Sequence, residues 1–407
     1  MKLHARKVDD LVNECLTLSD SLFDDPELTS DSARVVVSPY RFNPLGAHID
    51  HQGGQVMART LDQYTIFVYW VTETPVVTVH ARLKESWESV SFGIDEPVLG
   101  DSWQQMLSAS VAAMAAAHQI RLGISGVVHG TLVSGGLSSS ASVVLAYLVA
   151  LADANGLLIG QMELVELVRR VENDFRGLNN GIQDQMSIAF GKRDAMTVLD
   201  VNAVTADVVA DPVGIESVQF LMCFSGVTRD LGGSAFNTRV AECCEAAGLL
   251  SAGAAHLGEV PTELRSDECL QELPATLGRR ARHVYTEMQR VDAGKKAWAA
   301  GDFAAFGHLM NASCLSSIND YESGSEWLIA LHELARELPG VLGNRFSGGG
   351  YGGCLFMLVE TPHVQAVANT LLEKYLSRYP DMKDKAFVRL AQSEDTVRLL
   401  HDHEYGA

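Results

Sequence analysis

Basic residues are scarce in this chain. Its 407 residues carry 31 lysines and arginines against 51 aspartates and glutamates, a formal charge of −20. That balance argues against nonspecific binding to nucleic acid or to an anionic membrane, because either requires a basic face that displaces counterions. Any anionic substrate therefore needs a site that is locally positive. Long apolar runs are missing too: no segment approaches the ~18 residues of a membrane-spanning helix. The opening stretch, MKLHARKVDDLVNECLTLSD, contains no apolar core of a signal peptide. A cytosolic protein is the expectation. Cysteine is limited to Cys15, Cys223, Cys243, Cys244, Cys269, Cys314 and Cys354, an odd set without CxxC spacing, which reads as reduced structural thiols. No GxxxxGK followed by Ser or Thr occurs, which excludes a P-loop of the Walker type.

What is present is the composition of a globular protein. Apolar residues make up 47% and charged residues 20%, spread along the chain rather than blocked into tails. At about 150 residues per domain the length points to two or three domains, two being simpler. Residues 1–198 alternate strands and helices: ARVVV, QYTIFVYWV and VVTVHARL are rich in β-branched and aromatic residues, whereas Trp103, Met106, Leu107, Val111 and Met114 share one helical face. GISGVVHGTLV then reads as a strand that runs into SGGLSSSAS and the apolar helix ASVVLAYLVALADANG, followed by a helix over about 161–175. Residues 199–407 read as α+β: strands near 196–200 and 217–225, a helical stretch over about 234–337, a strand–glycine loop–strand unit, a helix over about 362–378 and a last strand, AFVRLAQ.

Four segments carry chemistry. SPYRFNPLGAHIDHQGG, residues 38–54, gathers Arg41, His48, Asp50 and His51 in one turn-rich stretch and leaves Ala47 in its middle without a functional group. VSGGLSSSAS sits between strand and helix. There Gly135, Gly136 and Leu137 would let a ligand approach the backbone, and Ser138, Ser139, Ser140 and Ala141 open a helix whose free N–H groups suit a phosphate. The plain alternative is a serine N-cap on a tight turn. RFSGGGYGGC formally contains GxGxxG through Gly348, Gly350 and Gly353, but a dinucleotide fingerprint requires a helix next, and CLFMLVE reads as a strand. A loop packed against another loop or a ligand suits it better. Finally, in VENDFRGLNNGIQDQMSIAFG, Glu172 and Asp184 flank a glycine-containing turn, suited to a cation or a proton; taken alone they read as solvated surface acids.

In order and spacing, the first three of these segments resemble the signature motifs of the GHMP small-molecule kinases, most closely the galactokinase branch, over residues 38–354. The resemblance implies a two-domain GHMP kinase fold, with an N-terminal α/β domain (1–198), a C-terminal ferredoxin-like domain (199–407) and the active site in the cleft between them. It also implies ATP-dependent phosphorylation of a sugar at its anomeric hydroxyl. On that match GIQDQ supplies the catalytic Asp184 beside Gly181, and the first motif supplies the catalytic Arg41. Gly135 to Ala141 hold ATP, and Ser140 and Glu172 hold Mg²⁺ through hard oxygen ligands.

Departures from the family pattern bear on the sugar. Galactokinases read GEHTD where this chain reads GAHID, and the missing Glu is the one that holds the C6 hydroxyl; Phe236 stands where they place a sugar-contacting Tyr. His48 and Asp50 are kept. A carboxylate facing C6 suits a CH2OH group and repels a C6 carboxylate, and PLGAHIDHQGG is similar to the first motif of plant-type galacturonokinases. D-galacturonate is therefore the expected sugar, with galactose and L-arabinose as alternatives; a non-catalytic sugar and ATP sensor is the reading from another class. Arg59, His51 and Tyr40 are candidates to face the sugar carboxylate, and His48 with His51 also has the spacing of a metal pair. The tail HDHE, residues 401–404, reads as solvated, and the expected assembly is a monomer.

Overall fold

The computed structural model describes residues 3, 4, 6–23, 28–83, 86–96, 102–131, 136–175, 181–228 and 234–400. Gly135 and the HDHE tail lie outside them. Twelve strands are found among the described residues: β1 (Arg34–Leu45), β2 (Gln55–Thr72), β3 (Val76–Leu83), β4 (Ser86–Gly93), β5 (Gly123–Gly130), β6 (Ala195–Asp200), β7 (Thr205–Ala210), β8 (Val218–Phe224), β9 (Val341–Phe346), β10 (Cys354–Glu360), β11 (Phe387–Leu390) and β12 (Arg398–Leu400).

The large sheet runs β12-β1-β2-β5-β3-β4, with β6 on β2 and β7 on β6. Its centre is β2, whose QVMARTLDQYTIFVYWVT is long enough to pair β6 through residues 55–58 and β5 through residues 65–72. On one face lie the helices Ser102–Ala117, Ser139–Ala154 and Gln161–Arg170, packed on Phe67, Val79, Val128 and their neighbours. The other face, carrying Tyr64, Ile66, Val68 and Val127, is covered by the helix Val8–Leu22 through Leu11, Val12 and Cys15.

A second sheet has the order β11-β8-β10-β9, antiparallel throughout. Helices intervene between β8 and β9 and between β10 and β11. That chain order and strand order make a ferredoxin-like unit.

One apolar core joins the two sheets. Phe42 of β1 stacks on Phe356 of β10 with centroids 4.2 Å apart and meets Phe220 of β8 edge-on at 5.0 Å. A fully buried Phe of this kind holds about 2 kcal/mol of transfer free energy. Because successive residues of a strand point to opposite faces, burial of Tyr40 and Phe42 in this seam turns Arg41 the other way. The core thus fixes the direction of one cation relative to both sheets.

Two helices, Val8–Leu22 and Gln183–Ala189, and the strands β4, β7 and β12 go beyond the sequence expectations. The helix expected over 161–175 is α-helical only for Gln161–Arg170 and widens to a π-helical turn over Val171–Phe175, which carries Glu172.

Candidate active site

Arg41 ties the three glycine-bearing segments together. Its backbone N–H donates to Leu137 O at 3.2 Å, and its Nη1 donates to Gly136 O at 3.2 Å and to Ser347 Oγ at 3.1 Å. Nε and Nη2 both donate to a single oxygen, Asp184 Oδ1, at 3.0 and 2.5 Å. The arginine is buried, whereas the Asp184 side chain is 32% exposed. Both bonds fall on Oδ1, and Oδ2 takes no part in them. Asp184 opens the short helix Gln183–Ala189, which is fastened to β1 by Gln183 Nε2 donating to Asn43 Oδ1 at 2.8 Å.

The glycine loops touch backbone to backbone. A Cβ on Gly348 would stand 2.9 Å from Gly136 O, and one on Gly136 would stand 2.9 Å from Ser347 O. This is the loop-on-loop packing expected of RFSGGGYGGC, and the strand β10 that follows it removes the dinucleotide reading. At the head of the helix Ser139–Ala154, Ser138 has a left-handed backbone (φ 59°) and its side chain makes no capping bond. The serine N-cap alternative therefore fails: Ser138 Oγ is buried without a hydrogen-bond partner among the described residues, beside the half-buried Ser139 and Ser140. Ser140 and the buried Glu172 offer a hydroxyl and a carboxylate, the hard oxygen chemistry that Mg²⁺ takes.

The sugar-motif loop is held from the other lobe. Oε1 of Glu287 accepts from Gly46 N at 2.7 Å, Ala47 N at 3.1 Å and Ser313 Oγ at 2.6 Å, while Oε2 accepts from Arg290 Nε at 2.6 Å. One turn earlier on the helix Ala275–Ala299, His283 Nε2 donates to Ala47 O at 2.9 Å. Both polar groups of the Ala47 backbone are thus fixed by side chains at i and i+4. Burial opposes ionisation of Glu287, but Arg290, His283, Arg345 and the Ser313 hydroxyl outweigh it and hold the carboxyl down at about 2. Burial, with the charge of Asp184 behind it, pushes Asp50 up to about 6, against the N–H groups of His51 and Asp50 and the charge of Arg41. Asp50 Oδ2 faces Gly181 so closely that a Cβ there would stand 2.0 Å from it, which only glycine permits.

The histidines of the motif are engaged by aromatic and hydroxyl partners. His48, with φ 59°, stacks on Tyr321 at 4.5 Å and shares a hydrogen bond with Ser323 Oγ at 3.1 Å; His51 Nε2 shares one with Tyr321 Oη at 3.0 Å. Among the described residues no group of three or more His, Cys, Asp and Glu is placed to hold a metal. Phe236 lies edge-on to the His51 ring at 5.8 Å.

The three residues expected to face a sugar carboxylate do not supply the cation. Arg59 is buried in a bidentate pair with Asp211 (2.6 Å each), beside the stacked Phe220 and Trp298 rings. His51 is pushed down to about 4 by burial and by His283, so it is neutral. Tyr40 is buried in the seam core. The Glu287 and His283 clamp escaped sequence reasoning: RARHVYTE gives two polar residues one helical turn apart, but only the burial of that face shows what they hold.

Removing this clamp has an expected cost. Glu287→Ala leaves Arg290 and Arg345 without their buried carboxylate and lowers unfolding free energy by about 3–5 kcal/mol in a denaturant titration. The folded carboxyl sits near 2 against an ordinary 4.5, so its contribution is complete above pH 4.5 and is lost as pH falls toward 2. Wild type is therefore expected to lose about 3 kcal/mol over that window through this group, at about 1.4 kcal/mol per pH unit, and the variant to lack that part of the acid dependence.

Comparison with known proteins gives the family of this chain. Residues 106–192 match the family model "GHMP kinases N terminal domain" and residues 295–377 match "GHMP kinases C terminal". The chain is 34% identical over 398 residues to the galacturonokinase of Arabidopsis thaliana, covering 90% of this chain and 93% of the relative. It is 32% identical to the galactokinase of Enterococcus faecalis, covering 83% and 88%. The structure of Lactococcus lactis galactokinase complexed with galactose superposes with a TM-score of 0.86 at 29% identity, covering 95% of this chain and 99% of that one. Mevalonate kinase from Methanococcus jannaschii shares the fold at a TM-score of 0.64 and 13% identity, covering 90% of this chain and 100% of that one. An aspartate and arginine locked between two interdigitated glycine loops, a sugar-motif loop clamped across the lobes and these relatives converge: the chain belongs to the GHMP kinase family and is a sugar kinase of its galactokinase type.

Proposed function

We propose that this kinase transfers the γ-phosphoryl group of ATP to the anomeric hydroxyl of D-galacturonate, giving galacturonate 1-phosphate and ADP. The observation that carries the choice of sugar is Ala47. A methyl group stands where the galactokinase pattern has a carboxylate, on a backbone fixed at both its N–H and its C=O. The 34% identity to a galacturonokinase supports the same reading.

In this reading Asp184 Oδ2 accepts the proton of the C1 hydroxyl as that oxygen attacks the γ-phosphorus, and the oxygen bridging to the β-phosphate leaves with ADP. Arg41 keeps Asp184 ionised and oriented, and steadies charge on the transferred group. His48 and Asp50 grip the ring hydroxyls, with Gly181 giving room beside Asp50. Gly135 to Ala141 hold the phosphates of ATP. Ser140 and Glu172 would hold Mg²⁺, which supplies charge neutralisation at those phosphates.

A sugar grip through ionised Asp50 predicts that kcat/KM for the sugar rises with pH around an apparent pKa of about 6. Asp50→Asn should remove that limb, and an unchanged pH profile in the variant would assign the limb elsewhere. The sugar itself is tested by a coupled ADP-release assay across galacturonate, galactose, L-arabinose and glucuronate at saturating MgATP. The highest kcat/KM is expected on galacturonate. A neutral sugar ahead of it would overturn the proposal, and sugar and ATP binding without ADP release would make the chain a sensor.

A further inference from the structure

A cationic cavity lies away from the catalytic cleft. It has a volume of ≈240 Å³ and is lined by Arg6, Leu11, Arg82, His129, Gly130, Thr131 and Arg389. On β5, Val127 packs on the sheet face covered by the Val8–Leu22 helix and Val128 on the face of the Ser139–Ala154 helix, so alternation puts His129 on the former face. The cavity therefore opens on the face of the large sheet opposite the Ser139–Ala154 helix.

Its charge is unbalanced. Arg6 and Arg82 come from separate segments yet share one carboxylate, Glu14, at 2.6 and 2.5 Å. Arg389, from β11 of the second sheet, makes no ion pair among the described residues; its guanidinium lies over the Phe387 ring at 4.5 Å. Asp62 attracts it at longer range, but that carboxylate accepts from Gln392 N at 3.1 Å. His129 Nδ1 is buried with no hydrogen-bond partner among the described residues. Thr131 Oγ1 accepts from Tyr64 N at 2.9 Å, which leaves its proton to donate. Three guanidinium groups line the cavity against two carboxylates, Glu14 on Arg6 and Arg82 and Asp62 at longer range on Arg389, which leaves an excess of positive charge in a chain of net charge −20.

We propose that this cavity is a second anion site that takes a phosphate group, held by the guanidinium groups of Arg82 and Arg389 with Arg6 at its mouth and Thr131 as a hydroxyl donor. Guanidinium forks match the oxygen spacing of phosphate. The ligand ties together the N-terminal segment, the large sheet and the second sheet, so its occupancy favours one arrangement of the two lobes. Inorganic phosphate and a sugar phosphate share this chemistry.

The test is titration of inorganic phosphate into the full chain by calorimetry, with the cleft first filled by MgAMP-PNP so that the glycine–serine loop is occupied. Saturable one-to-one binding is expected in wild type, weakened at least tenfold in Arg389→Gln and retained in Arg378→Gln, a surface control. Arg82→Gln serves if Arg389→Gln does not fold, with the same loss expected. Repeating the titration with galacturonate 1-phosphate distinguishes the sources: tighter binding than phosphate assigns a sugar phosphate, and equal or weaker binding assigns inorganic phosphate. Absence of saturable binding in wild type, or equal affinity in the cavity variants and the control, would overturn the site. The phosphate titration is independent of which sugar the kinase phosphorylates, and binding of galacturonate 1-phosphate counts for this cavity only where Arg389→Gln weakens it.

Discussion

Asp184→Asn is expected to keep sugar and ATP affinities within about threefold of wild type and to lose kcat by a factor of about 10³, in the range for removal of a positioned general base. The amide is nearly isosteric and keeps one oxygen for Arg41, so the fold and the cleft persist while the acceptor for the C1 proton is lost. Arg41→Lys tests the other half of the pair. Lysine keeps the charge but cannot donate to Asp184 Oδ1, Gly136 O and Ser347 Oγ together. Its kcat is expected to fall by about 10², with a normal circular dichroism spectrum. Rapid-quench measurement of single-turnover phosphoryl transfer checks both, and near-normal turnover in Asp184→Asn would contradict the assignment of the base.

Ala47→Glu carries the second large effect. Two carboxylates about 4 Å apart repel by about 4 kcal/mol at the effective dielectric of a partly desolvated site. Even half of that lowers kcat/KM for galacturonate about thirtyfold. The backbone at this position is pinned by Glu287 and His283, so the new side chain has no main-chain shift by which to withdraw. Galactose, whose C6 hydroxyl donates to the new carboxylate, is expected to gain in the same variant. A parallel loss on both sugars would instead report damage to the loop, and unchanged galacturonate turnover would remove Ala47 from the account of specificity.

The parts of this molecule that were legible in the sequence are those where chemistry sits on contiguous residues. RFNPLGAHID, GGLSSSAS and RFSGGGYGGC announced themselves because tight turns and backbone approach demand particular residue types at fixed offsets. The strand–loop–helix around Ser138 and the strand after Gly353 followed from the same local rules. What stayed hidden is contact across the lobes. Nothing in RARHVYTE says that His283 and Glu287 hold the backbone of residue 47, more than 200 positions away, and nothing near Arg59 shows that Asp211 neutralises it. Short strands were missed where pattern is weak: β12 is three residues long, and β7 is mostly exposed, so neither shows the apolar alternation that marks a half-buried strand.

The central claim, phosphorylation of galacturonate at C1, is tested most directly in one tube. The enzyme is given limiting MgATP with equimolar D-galacturonate and D-galactose, and the products are read by two-dimensional ³¹P–¹H NMR, in which phosphorus couples to the proton on the carbon that bears it. Most of the transferred phosphate is expected on the anomeric carbon of galacturonate. Phosphate found mainly on galactose, or on any carbon other than C1, would contradict it.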